Sequence, residues 1–126
     1  MEQARMNEVV VKSEDVPSDF QFSDLDKIPK EDLLYHIEKV ELKNKSLSIV
    51  VQYGGGCVKP HHFELHTDGR ISEEGNMNFF LLHKTRNDMC KALIIEELNF
   101  DLSLLYQLES KLLKGIVLNK DFKLSL

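Results

Sequence analysis

Hydrophobic residues recur at alternate positions through most of the chain beyond residue 36. Leu47, Ile49 and Val51 alternate with Ser48, Val50 and Gln52, after Ile37, Val40, Leu42 and the polar triplet Lys43-Asn44-Lys45. A period of two with β-branched enrichment on both sides of a polar turn predicts a β-hairpin, and Gly54-Gly55-Gly56 ends it. The run His61–His66 alternates again and is expected to turn at Asp68-Gly69, a strong turn dipeptide. Residues 77–83 read as a buried strand. The run Cys90–Phe100 reads as a long one, with Ala92, Ile94, Glu96, Leu98 and Phe100 on one face and Leu93, Ile95 and Glu97 on the other. Leu105, Leu108 and Leu112 have helical spacing, which predicts one short helix over 102–113, capped by Asp101 or Ser103 and stopped near Gly115. Ile116–Leu118 and Phe122–Leu126 alternate once more. Strands in short succession, joined by turns, predict a mainly β fold: an antiparallel sandwich or a small open barrel.

The first quarter of the chain has no such period. Residues 13–32 are rich in turn formers, with Pro17 and Pro29, and the acids after Pro29 suit a helix of at most two turns. Residues 1–32 hold nine acids (Glu2, Glu8, Glu14, Asp15, Asp19, Asp24, Asp26, Glu31, Asp32) against four bases, whereas residues 33–126 hold twelve of each. The expectation is an acidic, flexible arm over 1–32 and a β-sandwich domain over 33–126, with Val9-Val10-Val11 able to add a strand to a sheet edge.

Composition narrows the function classes. No run approaches ~18 apolar residues, which excludes a helical membrane span. Asp plus Glu (21) exceeds Lys plus Arg (16), against a nucleic-acid binder that works by neutralising phosphates. The N-terminus lacks the basic and apolar regions of a signal peptide, so an envelope location requires a leader already removed, and the other location is cytoplasmic.

One cluster carries candidate chemistry. If the strands run antiparallel, Cys57 leaves the first hairpin at one end of the sheet. The strand from His61 then runs away, and its successor returns His83 to the starting end, where Cys90 opens the next strand. Cys57, His61 (or His62), His83 and Cys90 should therefore converge on one edge. Three chemistries fit: a disulfide in an oxidising compartment, tetrahedral zinc on two thiolates and two imidazoles, or a thiol nucleophile with a histidine base. Simple packing of two small buried cysteines fits as well. The triple glycine reads as a turn or bulge needing positive φ, with an anion-binding nest of backbone N–H groups as the sharper alternative. His62, Glu64 and His66 share one strand face. Glu96 and Glu97 point to opposite faces and cannot act as a pair. No Gly-x-Ser-x-Gly, His-Glu-x-x-His, P-loop or EF-hand pattern occurs.

The string Tyr53-Gly54-Gly55-Gly56-Cys57, His61-x-Phe63-Glu64-Leu65, Leu81-Leu82-His83, Asp88-x-Cys90-x-Ala92 and Glu96-Glu97-Leu98-Asn99-Phe100-Asp101-Leu102-Ser103 resembles a family of small uncharacterised bacterial proteins, many of them predicted to be exported or lipid-anchored. The likeness spans about residues 50–103. It implies a β-sandwich in the cell envelope, with Cys57, His61, His83, Asp88 and Cys90, together with Gly55 and Gly56, as signature positions. It supplies no activity, cofactor or partner. The expectation carried forward is a non-enzymatic, envelope-associated module anchored at a Cys57/Cys90 edge without a cofactor. A zinc domain on Cys57, His61, His83 and Cys90 is the alternative, and a Cys57 thiol enzyme the third reading.

Overall fold

The computed structural model describes residues 8–11, 17–28, 34–58, 61–85, 87–107 and 112–126. The strands are β1 (Glu8–Val11), β2 (Ser18–Asp19), β3 (Gln21–Phe22), β4 (His36–Lys43), β5 (Ser46–Gly55), β6 (Phe63–Ile71), β7 (Asn76–His83), β8 (Ala92–Asp101), β9 (Gly115–Leu118) and β10 (Phe122–Ser125). They form two five-stranded sheets, ordered β1-β8-β5-β4 with β2 also on β8, and β10-β9-β7-β6-β3. The inner faces meet in a shared apolar core, the sandwich-like arrangement expected.

The sequence explains the central hairpins directly. Lys43 pairs with Ser46 across Asn44 and Lys45, whose φ values of 48° and 67° form the two-residue left-handed turn that matches strand twist. From that register Leu47, Ile49 and Val51 all point inward and are fully buried. Ile94 and Phe100 of β8 join them, facing Leu65, Met77, Phe79, Leu81, Ile116 and Leu118 of the second sheet. β4 is the outer strand, and Lys39–Glu41 at 2.7 Å and Lys43–Glu41 at 3.6 Å place charge on that edge. Charges there disfavour pairing with a foreign strand.

Four expectations are corrected. Asp68-Gly69 is not the hairpin turn: β6 continues to Ile71, which pairs with Met77, and the pairing register shifts between Thr67 and Ile71. Gly69 sits in this bulge at φ 75°, while Thr67 Oγ1 and Asp68 Oδ1 accept the N–H groups of Gly69 and Arg70. Second, the helix, α1, covers only Ser103–Gln107 among the described residues. Asp101 does cap it, accepting from the Ser103 amide at 2.8 Å, and Leu105 is buried. Leu112 is 70% exposed and off the core, and Leu108 lies outside the described residues. Third, the sheets are mixed rather than antiparallel, since β1 and β2 on β8, β3 on β6, and β9 on β7 all run parallel. Fourth, the segment 1–32, expected as an arm, supplies β2 and β3 in addition to β1, the edge strand that Val9-Val10-Val11 allowed for. These strands are two to four residues long, too short for a two-residue period to register. The helix expected after Pro29 lies outside the described residues.

Candidate functional site

β5 and β8 are antiparallel neighbours, and their last pair is Gly55 with Ala92. The residues just beyond, Cys57 and Cys90, therefore meet at one end of the sheet. Their Cα atoms are 5.6 Å apart and the sulfurs are joined in a disulfide.

Asp88 sits inside this junction. Its Oδ2 accepts the backbone N–H groups of Gly56 (3.1 Å) and Val58 (3.0 Å), and its Oδ1 accepts those of Cys57 (3.3 Å) and Cys90 (3.2 Å). His61 Nε2 adds a fifth contact at 2.7 Å, with both side chains less than 5% exposed. The His61 hydrogen bond, followed by the backbone N–H groups of Val58, Cys90 and Cys57, outweighs burial and holds the Asp88 carboxyl far below the usual carboxylate range. The glycine turn is thus both things considered for it. Gly56 adopts φ 115°, and the N–H groups that follow form a nest whose anion is the chain's own Asp88.

Behind Asp88 runs a buried imidazole pair. An ionised carboxylate only accepts, so His61 Nε2 carries the proton that faces Asp88. His61 Nδ1 then meets His83 Nε2 at 2.8 Å with one proton between the two rings. Tyr53 stacks on His61 at 4.3 Å, and Phe63 stacks on His83 at 4.3 Å and nearly parallel. The Tyr53 hydroxyl donates to Glu96 Oε1 at 2.6 Å. Burial, then the hydrogen bond to Glu96, pushes the Tyr53 phenol well up, and burial likewise raises the Glu96 carboxyl against the opposing pull of Tyr53 and His61.

Gly55 is fixed by the same packing. A Cβ there would lie 2.7 Å from Asp88 Oδ2 and 2.9 Å from His61 Nε2, closer than real Cβ atoms approach, and both neighbours are pinned to each other.

The sequence-selected residues Cys57, His61, His83, Asp88 and Cys90 are therefore brought together, with Gly55 and Gly56 shaping the turn. His62 is not part of the group: it is exposed and its Nε2 lies 3.2 Å from Glu64 Oε2. Tyr53 and Glu96 stand in the resembling string but were not expected in the cluster. Parity was the available signal, because Glu96 shares its strand face with Ile94 and Phe100, where an acid needs a buried partner. Leu34, Gly54, Thr85, Asn87 and Met89 line an open cleft of about 480 Å³ against His61 and His83.

The bridge decides which chemistries this edge can support. A disulfide sulfur is neither the thiolate that binds zinc nor the thiolate that attacks an electrophile. Ligand atoms of Cys57, Asp88 and Cys90 do lie within 4.8 Å of one another, but two of the three are the bridged sulfurs. Both ring nitrogens of His61 are occupied by Asp88 and His83. The four-ligand zinc set is not assembled here. No helix among the described residues is long and apolar enough to cross a membrane. No family model, curated protein or solved structure matches the chain.

Proposed function

We propose that this chain is a non-enzymatic β-sandwich module of the cell envelope, with the Cys57/Cys90 edge as its structural anchor. One observation carries the reading: the carboxylate of Asp88 accepts the amide N–H groups of both bridged cysteines. That carboxylate is committed to holding the bridge's two backbone segments together. The cysteines have no thiolate to offer while bridged. An exposed Cys57 in a lasting disulfide belongs to an oxidising compartment, which supports an envelope location, as does the resemblance over residues 50–103.

The test is fractionation of cells producing the native protein, with free thiols counted before and after denaturing reduction and metal content measured on the same material. The reading expects the protein in the envelope fraction, no thiol before reduction, two after, and no stoichiometric metal. Two thiols in freshly isolated cytosolic protein carrying one zinc would overturn it.

A further inference from the structure

A second polar cluster lies on the outer face of the β6 sheet, away from the disulfide. β3 pairs in parallel with β6, Gln21 with His66 and Phe22 with Thr67. The Ser23 amide extends this by donating to the Thr67 carbonyl at 2.9 Å, which sets the Ser23 side chain beside His66. Ser23 Oγ lies 2.7 Å from His66 Nδ1, and His66 Nε2 lies 2.9 Å from Glu64 Oε1. His62 Nε2 holds the other oxygen of Glu64 at 3.2 Å.

The direction of these bonds follows from the acid. Burial works to raise the Glu64 carboxyl, but hydrogen bonds from His66 and His62 outweigh it, and the group is held below its ordinary value. An ionised Glu64 can only accept, so His66 carries its proton on Nε2 and presents a lone pair at Nδ1. The Ser23 hydroxyl must then donate to it. This is the polarity of a nucleophile–base–orienting-acid series, with the two ring nitrogens used in the reverse of the familiar order. Ser23 also lines an open cleft of about 480 Å³ with Phe22, Asp24, Leu25, Asp68 and Arg70.

We propose that Ser23 is an activated acyl acceptor, with His66 as its base and Glu64 as the positioning residue, and that it takes one acyl group from an uncharged or cationic ester. Asp24, Asp26 and Asp68 outnumber Arg70 in the cleft lining, which disfavours anionic donors. In the step, Ser23 Oγ forms a bond to the acyl carbon while its proton passes to His66 Nδ1. The acyl C–O bond of the donor breaks, and the leaving alkoxide takes that proton from His66. The Ser23 amide, which in serine hydrolases donates to the oxyanion, is committed to Thr67. Without that donor both half-reactions are slow, and hydrolysis must in addition expel the serine alkoxide, a poorer leaving group than that of an activated ester, so the acyl-serine accumulates. The cluster is separate from the disulfide edge, and acceptance of a single acyl group leaves the non-enzymatic reading intact.

The full-length oxidised protein is incubated with p-nitrophenyl acetate, and acetylation is followed by intact mass and peptide mapping. The expected result is one acetyl group on Ser23 per chain, none there in Ser23→Ala, and a rate on Ser23 about 10²-fold lower in His66→Gln, the scale of a lost general base. Glu64→Gln should slow it similarly in protein that still folds. A nitrogen-resolved NMR spectrum of His66 should then show the proton moved from Nε2 to Nδ1. Because the wild-type map alone tests for acylation at Ser23, a variant that fails to fold does not rescue the proposal. Absence of acetyl-Ser23 in the wild type overturns it. So does an equal rate in a folded His66→Gln, which would make Ser23 an ordinary hydroxyl latching β3 to β6. Release of many equivalents of nitrophenol that depends on Ser23 overturns the acceptor role in favour of an esterase.

Discussion

Replacing both cysteines, Cys57→Ser with Cys90→Ser, tests how the edge is held. The bridge closes a loop across a sequence separation of 33. On the chain-entropy model such a loop removes unfolded-state freedom equivalent to about 3.5–4 kcal/mol at room temperature. The folded state should lose little else, because the Asp88 cage is built from backbone N–H groups and the His61 ring, none of which the substitution removes. For a chain of 126 residues, a loss of that size lowers the melting midpoint by roughly 10–20 °C. Urea unfolding of the variant, of oxidised wild type and of reduced wild type supplies the measurement. Variant and reduced protein should agree, and both should show a steeper denaturant dependence, since an unbridged unfolded chain exposes more surface. A loss under about 1 kcal/mol with an unchanged slope would refute the reasoning. It would mean that Asp88 alone fixes the edge and that the disulfide is incidental to it.

Gly55→Ala should cost about 1–3 kcal/mol, the scale of overpacking a filled site, with loss of the His61–Asp88 contact visible in imidazole NMR shifts; near-neutral stability would show that the cage is soft. Ile49→Asp places an unpaired carboxylate at a fully buried position and should cost about 4 kcal/mol or more, and normal folding would mean that the β5 register is wrong by one residue. Because the Asp88 carboxyl is depressed in the folded state, its contribution is present above the unfolded value of about 4 and is lost as pH falls below it. Asp88→Asn should therefore flatten the acid limb of a stability–pH curve. Glu96 works the other way, since a raised carboxyl favours the folded state at low pH and weighs against it as pH rises through its folded value. Glu96→Gln should accordingly raise the denaturation midpoint at neutral pH, with the gain vanishing near pH 4.

The parts of this fold that were legible are those where one physical pattern has one meaning. Leu47, Ile49 and Val51 alternate over a long stretch, and only a strand with one face in a core satisfies that. Asp68-Gly69 has two meanings, because a hairpin turn and a β-bulge both need a residue at positive φ. The tie is broken by Ile71, which continues inward and pairs with Met77, a partner sequence spacing does not announce. β2 and β3 are shorter still: two residues have no period, and their pairing to β8 and β6 comes from strands far along the chain. The helix failed at its far end for a related reason. Leu105 and Leu112 have helical spacing, but Leu112 is mostly exposed, so the stripe was not a buried face.

At the candidate site, connectivity located the four Cys and His positions, while their state depended on something sequence cannot supply. A glycine-rich turn that gathers N–H groups is an anion site, and the question is whose anion fills it. Here Asp88, 32 residues beyond Gly56, returns to occupy the nest itself. That single placement orders the rest of the edge. It fixes which nitrogen of His61 is protonated, and so which way the His61–His83 bond runs. It forbids a side chain at residue 55, and it draws together the two backbone segments that carry the sulfurs. Zinc would require the reverse order of commitments: thiolates without a bridge, and an imidazole of His61 turned from Asp88 to the metal. Turning that ring would strip the closest partner from a carboxylate that is almost entirely shielded from water. The cage therefore favours the bridged edge over the four-ligand zinc set, through the chemistry of Asp88 more than through that of the cysteines.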